Sequence, residues 1–223
     1  MTQESDQCET PQRLNLTEAV SAPTGAQRSS LEKTTTSSIR DAPYRRVGPP
    51  GYEHCDWDGV RNADKVAAIF NRVCSPLNPS PRVPIYIHGS VGAGKTGLAS
   101  VMYRLAKRPI WRRADSFLLD LSMGRSDDTY RTELRKAAEA SLLVLDDLGI
   151  RKPSEGMFHL LFDVLEVRKS KPTIITSNKT LVELCEHYTD ERIFSRLAAG
   201  TIMQITGEDR RVDGDGSVDI YQI

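Results

Sequence analysis

Gly89-Ser90-Val91-Gly92-Ala93-Gly94-Lys95-Thr96, set directly behind the apolar run Pro84-Ile85-Tyr86-Ile87-His88, is the stretch that decides the fold class of this 223-residue chain. Its spacing is G-x-x-x-x-G-K-[ST], that of a loop wrapped around a polyphosphate. Backbone N–H groups reach phosphate oxygens only where no Cβ intervenes or where φ is positive, so glycines are expected at 89, 92 and 94. Ser90, Val91 and Ala93 complete the turn, and a helix opening near Gly94 aims its positive end at the phosphates. Lys95 is then expected to reach the β and γ oxygens, and the Thr96 hydroxyl to ligate Mg²⁺. A nucleoside triphosphate site is the prediction.

The context is that of a true phosphate loop, because a β-type run precedes it and Leu98, Val101, Met102 and Leu105 follow at helical spacing. Working outward, Leu142-Leu143-Val144-Leu145-Asp146-Asp147 is an apolar run ending in two carboxylates. A buried strand of this form delivers an acid to the metal at its C-terminal edge. Asp146 is expected to hold Mg²⁺ through its water shell, and Asp147 to orient or deprotonate an attacking water. Thr173-Ile174-Ile175-Thr176-Ser177-Asn178 is a second apolar strand, ending in small polar groups. Inserted between the other two, it brings Asn178 to the γ-phosphate. Arg192 and Arg196 stand four apart, on one face of a helix, and suit polyphosphate through their planar donor forks.

Short β-type runs at 85–88, 110–112, 142–146, 173–176 and 202–205 alternate with helical patterns, which predicts a five-stranded parallel sheet covered by helices on both faces. The fold class is therefore α/β, a three-layer P-loop NTPase. Residues 1–50 are rich in Ser, Thr, Gln and Pro and read as a disordered tail; 51–212 form the ATPase domain, and 213–223 a short C-terminal tail. The first helix is marked by Ala63, Val66, Ala67, Phe70, Val73 and Cys74.

Thirty basic and thirty acidic residues balance, so any nucleic-acid contact must be local. Arg112, Arg113, Arg125, Arg131 and Lys136 are the candidates, although surface arginines are usually just solvated and no aromatic platform interleaves with them. Four cysteines without C-x-x-C spacing predict neither a zinc site nor a redox pair. No apolar stretch has the length of a membrane span, and Glu4, Asp6 and Glu9 argue against a leader, so a cytoplasmic location is expected.

In their order, the phosphate loop, Leu145-Asp146-Asp147-Leu148-Gly149, Thr176-Ser177-Asn178 and Arg192-Ile193-Phe194-Ser195-Arg196-Leu197 resemble the DnaC/DnaI bacterial replicative helicase loaders and the IstB transposition helpers, within the AAA+ ATPases. The resemblance covers about 52–211. It implies ATP and Mg²⁺ as ligands, Lys95 and Thr96 in Walker A, Asp146 and Asp147 in Walker B, and Asn178 as sensor 1. Arg196 becomes an arginine finger acting on a neighbouring subunit's ATP, hence a homo-oligomer. Asp147 stands where many AAA+ proteins carry Glu, no helical lid is read after residue 205, and no sensor 2 arginine is assigned. Three functions follow as expectations. The first is a loader that grips a replicative helicase and single-stranded DNA in the ATP state and hydrolyses slowly. The others are a transposition helper on duplex DNA and a non-hydrolysing, nucleotide-dependent interaction module.

Overall fold

A strand buried on both faces needs no polar alternation; the five β-type runs of this chain become parallel strands, and the central ones are of that kind. The computed structural model describes residues 39–60, 62–75, 83–124, 128–154, 156–188 and 191–206, with the backbone of 217–221. The parallel strands are β1 (Ile85–Gly89), β2 (Pro109–Arg113), β3 (Leu142–Asp146), β4 (Thr173–Ser177) and β5 (Thr201–Thr206). A sixth, β6 (Ser217–Tyr221), pairs antiparallel with β5. The five parallel strands are those expected; β6 adds an antiparallel edge strand within 213–223, read from the sequence as a tail.

The strand order is β2-β3-β4-β1-β5-β6. As expected, β4 lies between β3 and β1, with Leu145 level with Ile175 and His88 level with Ser177. That insertion gathers the phosphate loop, the Asp146-Asp147 pair and Asn178 at one edge of the sheet.

The helices are α1 (Ala63–Cys74), α2 (Lys95–Leu105), α3 (Ala114–Met123), α4 (Thr129–Glu139), α5 (Met157–Val167), α6 (Leu181–Tyr188) and α7 (Glu191–Ala198). Because side chains alternate along a strand, Ile85 and Ile87 pack with α1 and α2 while Tyr86 packs with the helices of the other face. Each fully buried Leu, Ile or Val in these two cores contributes about 1.5–3 kcal/mol over its exposed state. Residues 39–50, read from the sequence as tail, belong to the packed body: Ile39 and Tyr44 lie against the first core and the Arg45 N–H donates to Arg104 O at 2.8 Å. The reading of disorder over 1–38 lies outside the described residues.

Of the buried charged residues among those described, Arg168, just beyond α5, lies deepest, at 2% exposed. Its guanidinium donates to the carbonyls of Ala137, Ala140 and Pro172, and its Nε donates to Thr173 Oγ1 at 3.1 Å. It thereby closes the C-terminal end of α4, where carbonyls lack partners within the helix. Burial pushes its pKa down to about 10.

Candidate functional site

The site begins where β1 runs out. Gly92 and Gly94 take φ of 77° and 101°, a conformation open to glycine and costly for other residues. Gly94 is the N-cap of α2 and no side chain caps the helix start, which suits an anion opposite its opening N–H groups. The Lys95 ammonium donates to Gly89 O at 3.0 Å and Ser90 O at 2.6 Å, placing the charge within the curve of the loop. Gly89 also has a positive φ, 153°, and a Cβ there would lie 2.1 Å from Ile205 O on β5, so packing between strands requires glycine as well.

Asp146, 6% exposed, ends β3 beside Thr96 and Thr176. Its Oδ1 accepts from Thr96 Oγ1 at 3.1 Å and from Thr176 Oγ1 at 2.6 Å. Burial raises its pKa above the ordinary aspartate value, opposed by the Thr176 hydrogen bond. Asp147 follows in the left-handed region, φ 61°, a conformation aspartate tolerates better than most residues. Its N–H donates to Thr176 Oγ1 at 2.9 Å, and its carboxylate pairs with Arg113 at 3.7 Å. Thr176 thus both holds Asp146 and fixes the turn of Asp147, a role the sequence reading had not given it. The only signal was a hydroxyl at the end of an apolar strand.

A cleft of about 600 Å³ opens over these groups, lined by the loop, Lys95, Thr96, Asp147, Ile150, Asn178 and Ile205. Its remaining wall is Gly51, Tyr52, His54, Cys55, Asp56, Gly59 and Val60, a segment that carries no motif. The wall is visible only once the chain is folded back over α2. The volume lies within the range of small-ligand pockets.

The residues present fit ATP with Mg²⁺. The cradle would hold phosphates through the loop and Lys95. For the metal, the site offers two oxygen ligands side by side, Thr96 Oγ1 lying 3.1 Å from Asp146 Oδ1. Mg²⁺ commonly takes one carboxylate, a hydroxyl, waters and substrate phosphate oxygens, a set to which Asp146 and Thr96 would contribute.

The other predicted residues divide. Asn178 is exposed at the end of β4, on the cleft wall. Arg196 lies elsewhere, in a small depression with Val83, Pro84 and Thr173, at the edge of the sheet where the parallel strands begin. It pairs with Glu166, and the guanidinium groups of Arg192 and Arg196 sit 4.9 and 5.5 Å from the Phe162 ring centre. Of the proposed DNA-contact residues, Arg112 and Lys136 both pair with Glu133 and Arg113 with Asp147. Arg131 is exposed, and Arg125 lies outside the described residues. His88 is buried in β1 and burial lowers its pKa. No helix among the described residues is long and apolar enough to cross a membrane.

Fold and site together define an ATP-binding P-loop domain of the AAA+ class. Residues 81–212 match the family model described as IstB-like ATP binding protein, and the chain belongs to that family. Rv3427c, of an insertion sequence in Mycobacterium tuberculosis, is 29% identical over 101 residues, 43% of this chain and 40% of that protein. The chain therefore spans less than half the length of that relative. The crystal structure of DnaI superposes with TM-score 0.56 at 26% identity, covering 76% of this chain and 94% of that one. The replication initiator DnaA bound to AMPPCP and single-stranded DNA superposes with TM-score 0.57 at 25% identity, covering 70% and 50%.

Proposed function

We propose that the protein is a slowly hydrolysing ATPase that works as a DNA-associated oligomer, loading a replicative helicase onto single-stranded DNA in the cytoplasm. The observation that carries the ATP part is the convergence of Lys95, Thr96 and Asp146, with Thr96 Oγ1 3.1 Å from the buried carboxylate at the mouth of the loop. Bound Mg²⁺ would neutralise charge on the β and γ phosphates. Asp147, held by Thr176 and Arg113, would orient the attacking water, and Asn178, at the end of the neighbouring strand, would help hold it.

Arg196 supports the oligomer. It stands a strand length, roughly 17 Å, from its own phosphate loop, so as a finger it would serve a neighbouring copy. Coupling then follows from geometry: the γ-phosphate adds binding energy only when the subunits are assembled. The helicase-loading part rests on the similarity to DnaI, which spans nearly all of that structure. The insertion-sequence relative favours the second reading, a transposition helper on duplex DNA.

The test is ATP turnover of the wild type and of Arg196→Ala, without DNA, with single-stranded DNA and with duplex DNA. Loss of Arg196 should lower turnover on the order of 10³-fold with ATP affinity unchanged. Mixing Arg196→Ala with Asp147→Asn subunits should restore part of the activity, because each supplies what the other lacks. A wild type without turnover under any of these conditions would leave the static interaction module. Stimulation by duplex DNA alone would favour the transposition helper.

A further inference from the structure

We infer that Arg104, outside the cleft, is a positioning residue that makes the site select a nucleoside rather than any triphosphate. The inference rests on the ATP reading above and concerns the end of the cleft away from the phosphate loop.

The cleft has two ends of unlike construction. One is the loop, backed by β1 and the start of α2. The other is the wall of Tyr52, His54, Cys55, Asp56, Gly59 and Val60, which faces Ile205 and forms neither helix nor strand. Its own bonds are local turns, such as Cys55 N–H to Tyr52 O at 3.4 Å and Val60 N–H to Trp57 O at 3.0 Å, with Trp57 buried in the first core. The far end of α2 adds the side-chain anchors.

Arg104 lies in the last turn of that helix, eight residues and roughly 12 Å along the axis beyond Thr96. Its guanidinium stands 3.7 Å from the Tyr44 ring centre, and it donates to Cys55 O and, at 3.4 Å, to Arg46 O. Its own carbonyl accepts the Arg45 N–H at 2.8 Å. One turn earlier on the same face, Ser100 Oγ donates to Tyr52 O at 3.0 Å. Gly48 seals the contact, since a Cβ there would lie 2.6 Å from both Ser100 Oγ and Tyr52 O.

Two wall carbonyls, those of Tyr52 and Cys55, are thus fixed by two side chains of the helix that carries Lys95 and Thr96. One rigid element sets the distance between the phosphate end and the nucleoside end. Arg104 contacts Cys55 of the wall and Tyr44, Arg45 and Arg46 of the segment that leads into it, all away from the loop, so its loss should leave the phosphate end intact. An unpinned wall must be ordered at the moment of binding, and that cost falls on base and ribose contacts alone.

The experiment uses the full chain and two probes, Mg·ATP and inorganic tripolyphosphate with Mg²⁺, with Kd measured by calorimetry. Arg104→Gln should weaken ATP on the order of tenfold and tripolyphosphate less than about twofold. Arg104→Lys should recover part of the ATP affinity, since an ammonium keeps a donor and the stack on Tyr44 but not the fork. Ser100→Ala and Gly48→Ala should shift the ratio in the same sense, and they decide the matter if Arg104→Gln does not fold. Equal losses for both probes, or unchanged ATP affinity, overturn the inference. A wild type that binds neither probe overturns the ATP reading itself; one that binds both equally overturns only the selective wall.

Discussion

Asp146 is stabilised less by its surroundings than a carboxylate in water would be, and the reason is its position. A metal-holding acid must sit at a strand end beside the loop, where burial opposes ionisation and two hydroxyls only partly compensate. Its folded-state pKa lies above the unfolded one. Stability from this group is therefore fully present below the unfolded value and is lost as pH rises through the folded value, so neutral pH is the costly side. Asp146→Asn keeps an oxygen that both hydroxyls can reach and carries no charge. Without nucleotide, its Tm at pH 7 should exceed that of the wild type, by roughly 2–4 °C for each kcal/mol relieved. The gain should vanish below the ordinary aspartate pKa, and ATP with Mg²⁺ should no longer raise Tm as it does in the wild type. Thermal melts across pH 3 to 8 check the sign; a lower Tm at pH 7 refutes it. Lys95, Thr96 and Asp146 were legible in the sequence because close approach to phosphate and metal restricts residue type and spacing. Tyr52, Cys55 and Val60 were not, since a wall placed by remote contacts demands no pattern within itself.

At the scale of elements, the strands were more legible than the helices. The strands were read within a residue or so because both faces are covered, leaving uninterrupted apolar runs. Neither α3 nor α4 was read; along α4 only Ala137 is buried, with Tyr130 and Leu134 half-buried against the second core, so its apolar stripe is narrow. Its C-terminal end is also held by Arg168. Arg168→Met should leave the carbonyls of Ala137, Ala140 and Pro172 short of donors in a dry environment, a loss on the order of 3 kcal/mol. Arg168→Lys should recover less than half, because a single ammonium cannot span three carbonyls held by a fork. Urea denaturation followed by circular dichroism reads both, as midpoint shifts at constant slope. An Arg168→Met midpoint equal to that of the wild type would mean that the carbonyls find other donors.

For the whole molecule, composition misled at both borders of the domain, and for the same reason. A segment poor in large apolar residues reads as unable to fold by itself, yet 39–50 and 217–221 need only add to a surface already built. The 39–50 segment brings Tyr44 under Arg104, the Arg45 N–H onto Arg104 O, and Arg46 onto the carbonyls of Ala106 and Lys107 that end α2. A half-buried cation–π contact contributes about 1 kcal/mol, as does each hydrogen bond. Chains beginning at 39 and at 51 should therefore differ. The shorter should melt roughly 5–10 °C lower, given 2–4 °C per kcal/mol for a domain of this size. It should also bind ATP more weakly than tripolyphosphate would predict, because the wall loses its anchor on the side of residue 46. Equal melting temperatures would return the border to residue 51 and make the contacts of Tyr44, Arg45 and Arg46 incidental to the fold.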